Sequence, residues 1–334
     1  LHGIGVEDQP MFAGKYIRYY GEPIAAIAAD TKKIAINAMK FIELEIEEME
    51  PIINLKKSIL ESSRLIHPEW KKYKLSNKSV KRFGNIAWEA TAKRGNLEKI
   101  RKNPNLIKVE GNYKVGRQNQ VSFEPRVVKA SFVDGRFEIT TSTQVPWTVK
   151  QVTSKVLGVS ESLVRVKVPP VGGGFGLKFD CALEPYAAKL SQICRSDIFL
   201  ENSRQDEMQT SLCRENAEIN IISYVSKEGK IFGREAEVLM DCGAYGGEQV
   251  FLTTMTSHTL GGNYKLENVI INSKAVYTNT PPNGAFRACN GVYNTFALEA
   301  HTDEICKKID SRSLVFLVCG NNPESILGYI SFLK

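Results

Sequence analysis

The sequence predicts an α+β fold, in which strand pairs alternate with amphipathic helices. Strand-like runs flank the turn signals Asp134-Gly135 and Lys227–Gly229, which predicts two antiparallel hairpins. Apolar residues recur at helical spacing after Pro146 and again within 182–193 and 293–309, which predicts three helices. No repeat period is visible along the 334 residues, and the whole reads as a mixed α+β chain.

The composition and charge are typical of a globular protein. Hydrophobic residues make up 43% and charged residues 24% of the chain, which excludes a disordered or fibrous chain. Lys and Arg number 44 against 37 for Asp and Glu, a net charge of +7. The basic residues are scattered, which argues against a nucleic-acid partner. No apolar run approaches the roughly 18 residues of a membrane-spanning helix, so no membrane span is expected.

The cysteines and histidines of the sequence form no recognisable metal-binding motif. The seven cysteines include no C-x-x-C pair, which argues against a disulfide framework and against a zinc or iron–sulfur site, and favours a cytoplasmic location. The four histidines are dispersed. If the protein uses a metal, another group must hold it. The chain begins at Leu1 rather than Met, without a signal-peptide pattern, which favours a fragment.

Residues 1–53 are predicted to be part of an α+β domain. The expected order is strand, strand, helix, strand: 16–20 and 24–29 around a turn at Gly21–Pro23, a helix capped by Asp30 or Thr31, and 43–47, where Leu and Ile alternate with Glu. Residues 54–104 are rich in Lys, Ser, Asn and Arg and lack clear periodicity. We therefore expect a linker with one or two short helices there.

Residues 105–310 carry the regular patterns, and residues 311–334 are expected to form a divergent tail. The predicted elements are strands 127–132 and 137–141, a helix from Pro146 to a stop at Gly158, strand 163–168, helix 182–193 with Pro185 in its first turn, strands 217–222 and 231–240, and helix 293–309. In the last helix, Phe296, Ala297, Ala300 and Ile305 are expected to face inward.

Two segments are candidates for chemistry. The glycine run Val171–Lys178 follows a strand and precedes a helix, and its backbone N–H groups suit a phosphate or an oxyanion. A tight turn without a ligand stays open, because the spacing matches neither the dinucleotide nor the P-loop fingerprint. In Thr280–Asn290, Arg287 lies at a helix start, where it can bind an anion. A surface or ion-pair arginine stays open there.

The succession of short motifs is more specific than any one of them. In chain order they are Thr141–Gln144, Leu157–Val159, Val164–Val168, Gly172–Gly176, Ser203–Met208, Asp241–Tyr245, Asn263–Leu266 and Gly284–Arg287. This order resembles the molybdenum-binding subunit of the xanthine dehydrogenase, aldehyde oxidase and carbon monoxide dehydrogenase family of molybdenum hydroxylases. The resemblance covers roughly residues 10–309, and within it residues 25–47 resemble the last part of the family's α/β hammerhead domain.

The resemblance implies the C-terminal part of a hammerhead domain followed by the first molybdopterin-binding domain. It implies an oxidoreductase that hydroxylates an aldehyde or an N-heterocycle, with water as the oxygen source. The cofactor is then a molybdenum–pyranopterin, as molybdopterin or its cytosine dinucleotide form, whose dithiolene explains the scarcity of protein ligands. The implied partners are a small-molecule substrate and an iron–sulfur subunit with 2Fe-2S clusters. An FAD subunit and a second molybdopterin subunit stay open.

The resemblance also assigns site residues. Gln144 matches the glutamine that hydrogen-bonds an oxygen ligand of molybdenum, Phe175 the residue whose backbone N–H lies close to the metal, and Arg287 the arginine that follows Ala-Phe. The implied cofactor-binding set is Gln144, Gly173, Gly174, Phe175, Gly176, Phe286 and Arg287. No catalytic residue is expected in this chain, because the general-base glutamate belongs to a second cofactor domain.

Three positions depart from the purine-oxidising members of the family, one of them the upstream purine-contacting arginine, which is replaced near Thr254 or Met255. Phe179 stands in place of a glutamate and Cys289 in place of a substrate-stacking phenylalanine, so both are expected in a substrate pocket for a compound less polar than a purine. Ala288 stands where carbon monoxide dehydrogenases have a copper-binding cysteine. The chain is then one half of a split subunit. The alternative is a truncated, catalytically inactive product without the second cofactor domain.

Overall fold

The computed structural model describes residues 1–77, 80–262, 264 and 266–310, so the predicted tail at 311–334 lies outside the described residues. Its helices and strands, in chain order, are α1 (Lys32–Met39), α2 (Leu55–Ser58), β1 (Ile86–Arg94), α3 (Leu97–Arg101), β2 (Ile107–Val115), β3 (Val127–Val133), β4 (Arg136–Thr141), α4 (Pro146–Leu157), β5 (Val164–Lys167), α5 (Glu184–Cys194), β6 (Ile198–Glu201), α6 (Arg204–Thr210), β7 (Ala217–Val225), β8 (Ile231–Gly243), α7 (Gln249–Thr259), β9 (Asn268–Tyr277) and α8 (Gly291–Lys308). This is the mixed α/β content that the sequence predicts.

Two mixed sheets organise these elements. The larger has the order β1-β9-β8-β7-β2, and its strands pair antiparallel except for the parallel pair of β8 and β9. The smaller has the order β5-β4-β3-β6, with β4 and β5 parallel and the other pairs antiparallel. Helices α7 and α8 pack on the larger sheet, and α4 and α5 pack on the smaller one.

Each sheet has its own apolar core. The larger core includes Ile219, Ile221 and Val238 of the sheet with Tyr293 and Ala297 of α8. The smaller core joins β3, β4 and β5 to α5. Burial of these side chains is the main favourable term in folding. Within the described ranges, no helix has the length and hydropathy needed to cross a membrane.

The predicted hairpins and the boundaries of the helix from Pro146 to Gly158 are confirmed, and the helices predicted at 182–193 and 293–309 are present with ends shifted by one or two residues. Phe132 pairs with Phe137 across the turn at Asp134-Gly135, and β7 pairs with β8 across the second turn. Helix α4 begins at Pro146, which needs no N–H bond in a first turn, and ends at Gly158, which has a left-handed φ of 70°. Helix α5 tolerates Pro185 for the same reason.

The strands predicted at 16–20, 24–29 and 43–47 are wrong. These residues form no strand, although the helix between them is present and Thr31 caps it by accepting the N–H of Ile34. Alternating patterns produce a strand only when a second strand supplies backbone hydrogen bonds, and no strand of the described residues pairs with these segments. Helix α1 buries none of its residues, and Phe41 beyond it is 86% exposed.

Two further expectations need correction. The region 54–104 contains its expected short helices, but it also contains β1, which pairs with β9 at the edge of the larger sheet. The alanines and charged residues of β1 make its alternation of apolar and polar residues weak, so the sequence pattern did not indicate a strand there. In α8, Ala297 and Ile305 are buried as predicted and Ala300 packs against the core. Phe296 is 52% exposed, although its ring packs edge-on against the buried Tyr113.

The two candidate segments meet where the two sheets adjoin. The glycine run follows β5 of the smaller sheet, and the segment at 280–290 connects β9 of the larger sheet to α8. The backbone N–H of Arg287 donates a hydrogen bond to the carbonyl oxygen of Phe175 at 2.9 Å. The fold therefore brings together residues that lie more than a hundred positions apart.

Candidate functional site

The glycine loop is shaped by what packs against it. Gly173, Phe175 and Gly176 all have positive φ, at 101°, 55° and 102°. A Cβ added to Gly174 would lie 2.4 Å from Oε1 of Gln144, and one added to Gly176 would lie 2.1 Å from the carbonyl oxygen of Ala285. Gly176 is required because the Ala285 backbone approaches the loop there, whereas a Cβ on Gly174 would displace the Gln144 side chain.

Gln144 is fixed at both its backbone and its side chain. Its backbone N–H donates to the carbonyl oxygen of Lys178, and its side-chain Oε1 accepts the N–H of Gly176, both at 3.0 Å. The amide Nε2 is exposed and has no acceptor among the described residues. The side chain is thereby oriented with its NH2 group available as a donor.

The loop also presents a row of backbone donors. The N–H groups of Gly172 and Gly176 are paired with Glu124 and Gln144. No hydrogen bond within the described part of the chain uses the N–H groups of Gly173, Gly174 and Phe175. Successive free N–H groups in a loop with positive φ form a concave site for negatively charged or oxo groups.

The segment Gly284–Arg287 completes the site from the other sheet. Its backbone is fixed by Arg287 N–H on Phe175 and by the side chain of Gln120, whose Nε2 donates to the carbonyl oxygen of Ala285 at 2.7 Å. The Arg287 side chain is exposed and makes no hydrogen bond or ion pair with another described residue. It is a free cationic donor beside the loop.

Arg214 is a site residue that the sequence prediction missed. It is 4% exposed, and its guanidinium group lies 4.5 Å from the centre of the Phe286 ring. It donates to the backbone oxygens of Phe286, Arg287 and Cys289 at 3.0, 2.6 and 3.2 Å. Burial lowers the pKa of Arg214. The flanking Cys213 and Glu215 carry no pattern that predicts a buried arginine, so no sequence signal could have found it.

Two ion pairs with buried cations lie next to the glycine loop. Lys178 is 2% exposed and pairs with Glu124. Arg126 is buried and pairs with Asp180 at 2.7 Å between Nη2 and Oδ1. Burial raises the pKa of Asp180 to about 6 despite this partner. Paired buried charges of this kind fix geometry more than they add stability.

The two predicted pocket residues lie on the two segments that form the site. Phe179 is 43% exposed and its N–H donates to the carbonyl oxygen of Gly176 at 3.1 Å. Cys289 has a left-handed φ of 44°, and its half-buried side chain packs against the core of the larger sheet. Burial raises the pKa of its thiol. Their contribution to a substrate pocket stays a prediction.

The described residues contain no group of three or more His, Cys, Asp and Glu side chains that could hold a metal ion directly. The donors that converge are of another kind. They are the Gln144 amide, the free N–H groups of residues 173–175 and the Arg287 guanidinium. Such donors suit a ligand that brings its own negative oxygens and holds its own metal.

A comparison with protein families identifies the chain. Residues 80–316 match the model of the molybdopterin cofactor-binding domain. That range includes β1, which the sequence prediction had placed in a linker, and it contains all the site segments described above.

Two curated relatives illustrate the family. A probable xanthine dehydrogenase subunit of Bacillus subtilis is 26% identical over 304 residues, which are 91% of this chain and 39% of that protein. The nicotinate dehydrogenase large molybdopterin subunit of Eubacterium barkeri is 28% identical over 288 residues, 85% of this chain and 64% of that protein. The chain therefore spans less than two thirds of the length of either relative.

Solved structures share the fold. The aldehyde oxidoreductase of Desulfovibrio gigas superposes with a TM-score of 0.83 at 23% identity, over 93% of this chain and 33% of that one. Quinoline 2-oxidoreductase of Pseudomonas putida 86 superposes with a TM-score of 0.80 at 24% identity, over 92% of this chain and 38% of that one. The match to the domain model covers most of the chain, and the chain belongs to the molybdopterin cofactor-binding domain family.

Proposed function

We propose that this chain is the first cofactor-binding domain of a molybdenum hydroxylase. In that role it would bind one side of a molybdenum–pyranopterin cofactor, and the enzyme would oxidise an aldehyde or an N-heterocycle. One observation carries the proposal: Gln144, the glycine loop and Arg287 come from three distant segments and meet with their donors unpaired. The names of the relatives, a xanthine dehydrogenase subunit and a nicotinate dehydrogenase subunit, support the reaction class.

The residues present fit such a cofactor. The positions that Cβ atoms would fill at Gly174 and Gly176 are taken by Gln144 and Ala285, and the N–H groups of Gly173, Gly174 and Phe175 have no acceptor among the described residues. When bound, the cofactor would supply a two-electron oxidation in which an oxygen from water is transferred to substrate carbon. The pterin would provide the metal ligands, which this chain lacks in its described residues.

The chain's own groups then act as fixed donors. Gln144 Nε2 and the N–H groups of Gly174 and Phe175 would hydrogen-bond oxygen atoms of the bound group, and Arg287 would stabilise negative charge that grows during reaction. These dipoles are already oriented by Gly176 N–H on Gln144 and by Arg287 N–H on Phe175. Such preorganised donors cost no rearrangement when charge develops.

The finer assignments are part of the proposal. Phe179 and Cys289 would border the substrate, and a general-base glutamate would come from outside this chain. An iron–sulfur subunit with 2Fe-2S clusters would accept electrons, with an FAD subunit and a second molybdopterin subunit as further candidates. The assignment of residues 25–47 to a hammerhead domain is supported by helix α1 alone. A cytoplasmic location belongs to the same proposal.

The test is to express the chain with the products of its neighbouring genes, purify the complex and measure molybdenum per chain by mass spectrometry of the metal. We expect stoichiometric molybdenum and dye-linked oxidation of an aldehyde or an N-heterocycle. Gln144→Ala and Arg287→Ala should each lower turnover by about 10²-fold. The matched surface controls are Gln151→Ala on α4 and Arg165→Ala on β5, both exposed, and they should retain full turnover.

Two outcomes would contradict the proposal. A folded complex without molybdenum would remove the cofactor assignment and favour the catalytically inactive chain. Unchanged turnover in both Gln144→Ala and Arg287→Ala would remove these residues from the site.

A further inference from the structure

Glu248 lies directly behind the segment that carries Arg287. It precedes the first residue of α7 and is 5% exposed. Its Oε2 accepts the backbone N–H of Ala285 at 2.7 Å. A Cβ added to Gly284 would lie 3.0 Å from the same oxygen. The carboxyl group therefore occupies the space next to Gly284 and fixes how closely this backbone can approach α7.

Movement of Ala285 would be transmitted to the glycine loop. The carbonyl oxygen of Ala285 would lie only 2.1 Å from a Cβ on Gly176, so the two backbones are in close contact. Gln120 holds this carbonyl, and Arg287 N–H bonds to Phe175 two residues further on. Among the described residues, Glu248 is the only acceptor for the backbone N–H of Ala285.

The second oxygen of the Glu248 carboxyl group is buried without a hydrogen-bond partner among the described residues. The charged groups that act on it are Asp180 and Arg126 on the side of the glycine loop and Glu215 before β7. Cys289 faces it from the segment itself. Burial first, and then Asp180 and Glu215, raise the pKa of Glu248 to about 8. The Ala285 N–H and Arg126 act in the opposite direction and lower this pKa. Either form of the carboxyl group can accept the Ala285 N–H, but the ionised form would leave its second oxygen charged, buried and without a partner.

We infer that Glu248 is a positioning residue that holds the Gly284–Arg287 segment against the glycine loop and so determines where the Arg287 side chain lies. The inference deepens the proposed function and rests on it, because Arg287 is the cationic donor of the proposed site. Glu248 itself does not contact the free donors and acts through the backbone of Ala285.

The test compares Glu248→Ala with Glu248→Gln by hydrogen–deuterium exchange of a peptide covering residues 284–290 in the full chain. Glu248→Ala should lower the protection of this peptide by about tenfold, because the Ala285 N–H loses its acceptor. At pH 5, where the unmodified Glu248 is protonated, Glu248→Gln should stay within about threefold of the unmodified chain, since an amide oxygen still accepts the bond. The matched control is Asp8→Asn, a buried carboxylate that accepts the backbone N–H of Gly246 at 2.8 Å. It should leave the peptide unchanged.

A pH series separates positioning from a general loss of structure. In the unmodified chain, the protection factor of the peptide should fall as the pH rises from about 4.5 to about 8, the value to which burial raises the pKa of Glu248, because an opening that exposes the carboxyl group lets it release its proton. It should stay flat in Glu248→Gln. Identical pH profiles for the two proteins would overturn the inference, even if Glu248→Ala fails to fold. Unchanged protection in a folded Glu248→Ala would overturn it as well.

The readout is independent of the proposed function. If the complex holds no molybdenum but the peptide responds as expected, the cofactor assignment fails and the positioning role of Glu248 stands. If the complex holds molybdenum and the peptide does not respond, the reverse is true.

Discussion

In the N-terminal stretch 31–50 the sequence pattern suggests more burial than the structure has, and at the junction between the two sheets it suggests less. The N-terminal stretch has the clear helical and alternating patterns that usually predict packed structure, yet α1 buries no residue and Phe41 is 86% exposed. The junction has irregular backbone and many polar residues, yet Arg214 and Glu248 are 4% and 5% exposed. In neither region does the sequence pattern indicate which side chains are buried.

The comparison shows which contacts determine the backbone positions at the junction. At the junction, each polar side chain satisfies a backbone group of a distant segment, as Arg214 does for three carbonyl oxygens between 286 and 289. In the N-terminal stretch no described strand pairs with the backbone. Substitutions at the junction should thus be costly and substitutions in the stretch should be nearly neutral.

Gly176→Ala should have the largest effect. The added Cβ would lie 2.1 Å from the carbonyl oxygen of Ala285, at a φ of 102° that alanine rarely adopts. We expect the free energy of unfolding to fall by about 3 kcal/mol or more, because strain and overlap add. Urea denaturation followed by circular dichroism measures this change.

Gly135→Ala is the matched control for that substitution. Gly135 also has a positive φ, of 75°, but a Cβ there would meet no atom within 4 Å. It should lose only about 1 kcal/mol, the cost of the backbone conformation alone. Equal losses for the two variants would show that the contact between the glycine loop and Ala285 does not constrain the junction.

Arg214→Met should have the next largest effect. The substitution keeps the volume and apolar stem of the side chain but leaves the carbonyl oxygens of Phe286, Arg287 and Cys289 without this donor. We expect a loss of about 2–4 kcal/mol in the free energy of unfolding, together with a loss of bound molybdenum from the complex. Arg165→Met, at an arginine side chain that is 74% exposed, is the control and should change stability by less than about 0.5 kcal/mol. A stable Arg214→Met protein would show that water replaces the arginine at these carbonyls.

The sequence predicted the parts of the fold that local patterns determine, and missed the parts that depend on distant contacts. The hairpin at Asp134-Gly135 and the helix from Pro146 to Gly158 follow from turn and capping residues alone. The site residue Gln144 came from a resemblance alone, since no local rule marks it, whereas the position of Arg287 at a helix start also made it a candidate anion ligand. Glu248 could not be predicted, because a glutamate beside a helix start is usually solvated. Its burial arises only when Gly284 packs against it.

The pH dependence of stability tests the buried carboxyl group directly. Burial raises the pKa of Glu248 from an ordinary 4.5 to about 8, so the folded chain binds a proton that the unfolded chain releases above pH 4.5. This contribution to stability is complete below about pH 4.5 and is lost as the pH rises to about 8. Glu248→Gln should therefore gain stability relative to the unmodified chain across that window, by at least about 1 kcal/mol. Thermal unfolding at pH 5, 7 and 8.5 measures the difference, and a constant difference would contradict the shifted pKa.

Phe41→Ser should have the smallest effect on stability, although it replaces a large apolar residue. The Phe41 side chain is 86% exposed, so the folded state loses little burial when the ring is removed, and the unfolded state is equally solvated. We expect a change within about 0.5 kcal/mol by urea denaturation at low protein concentration. The matched buried control is Phe137→Ser in β4, where the ring is 1% exposed and the loss should be about 3–5 kcal/mol. A loss above about 2 kcal/mol for Phe41→Ser would mean that the N-terminal stretch packs in solution as the junction does, and the contrast between the two regions would fail.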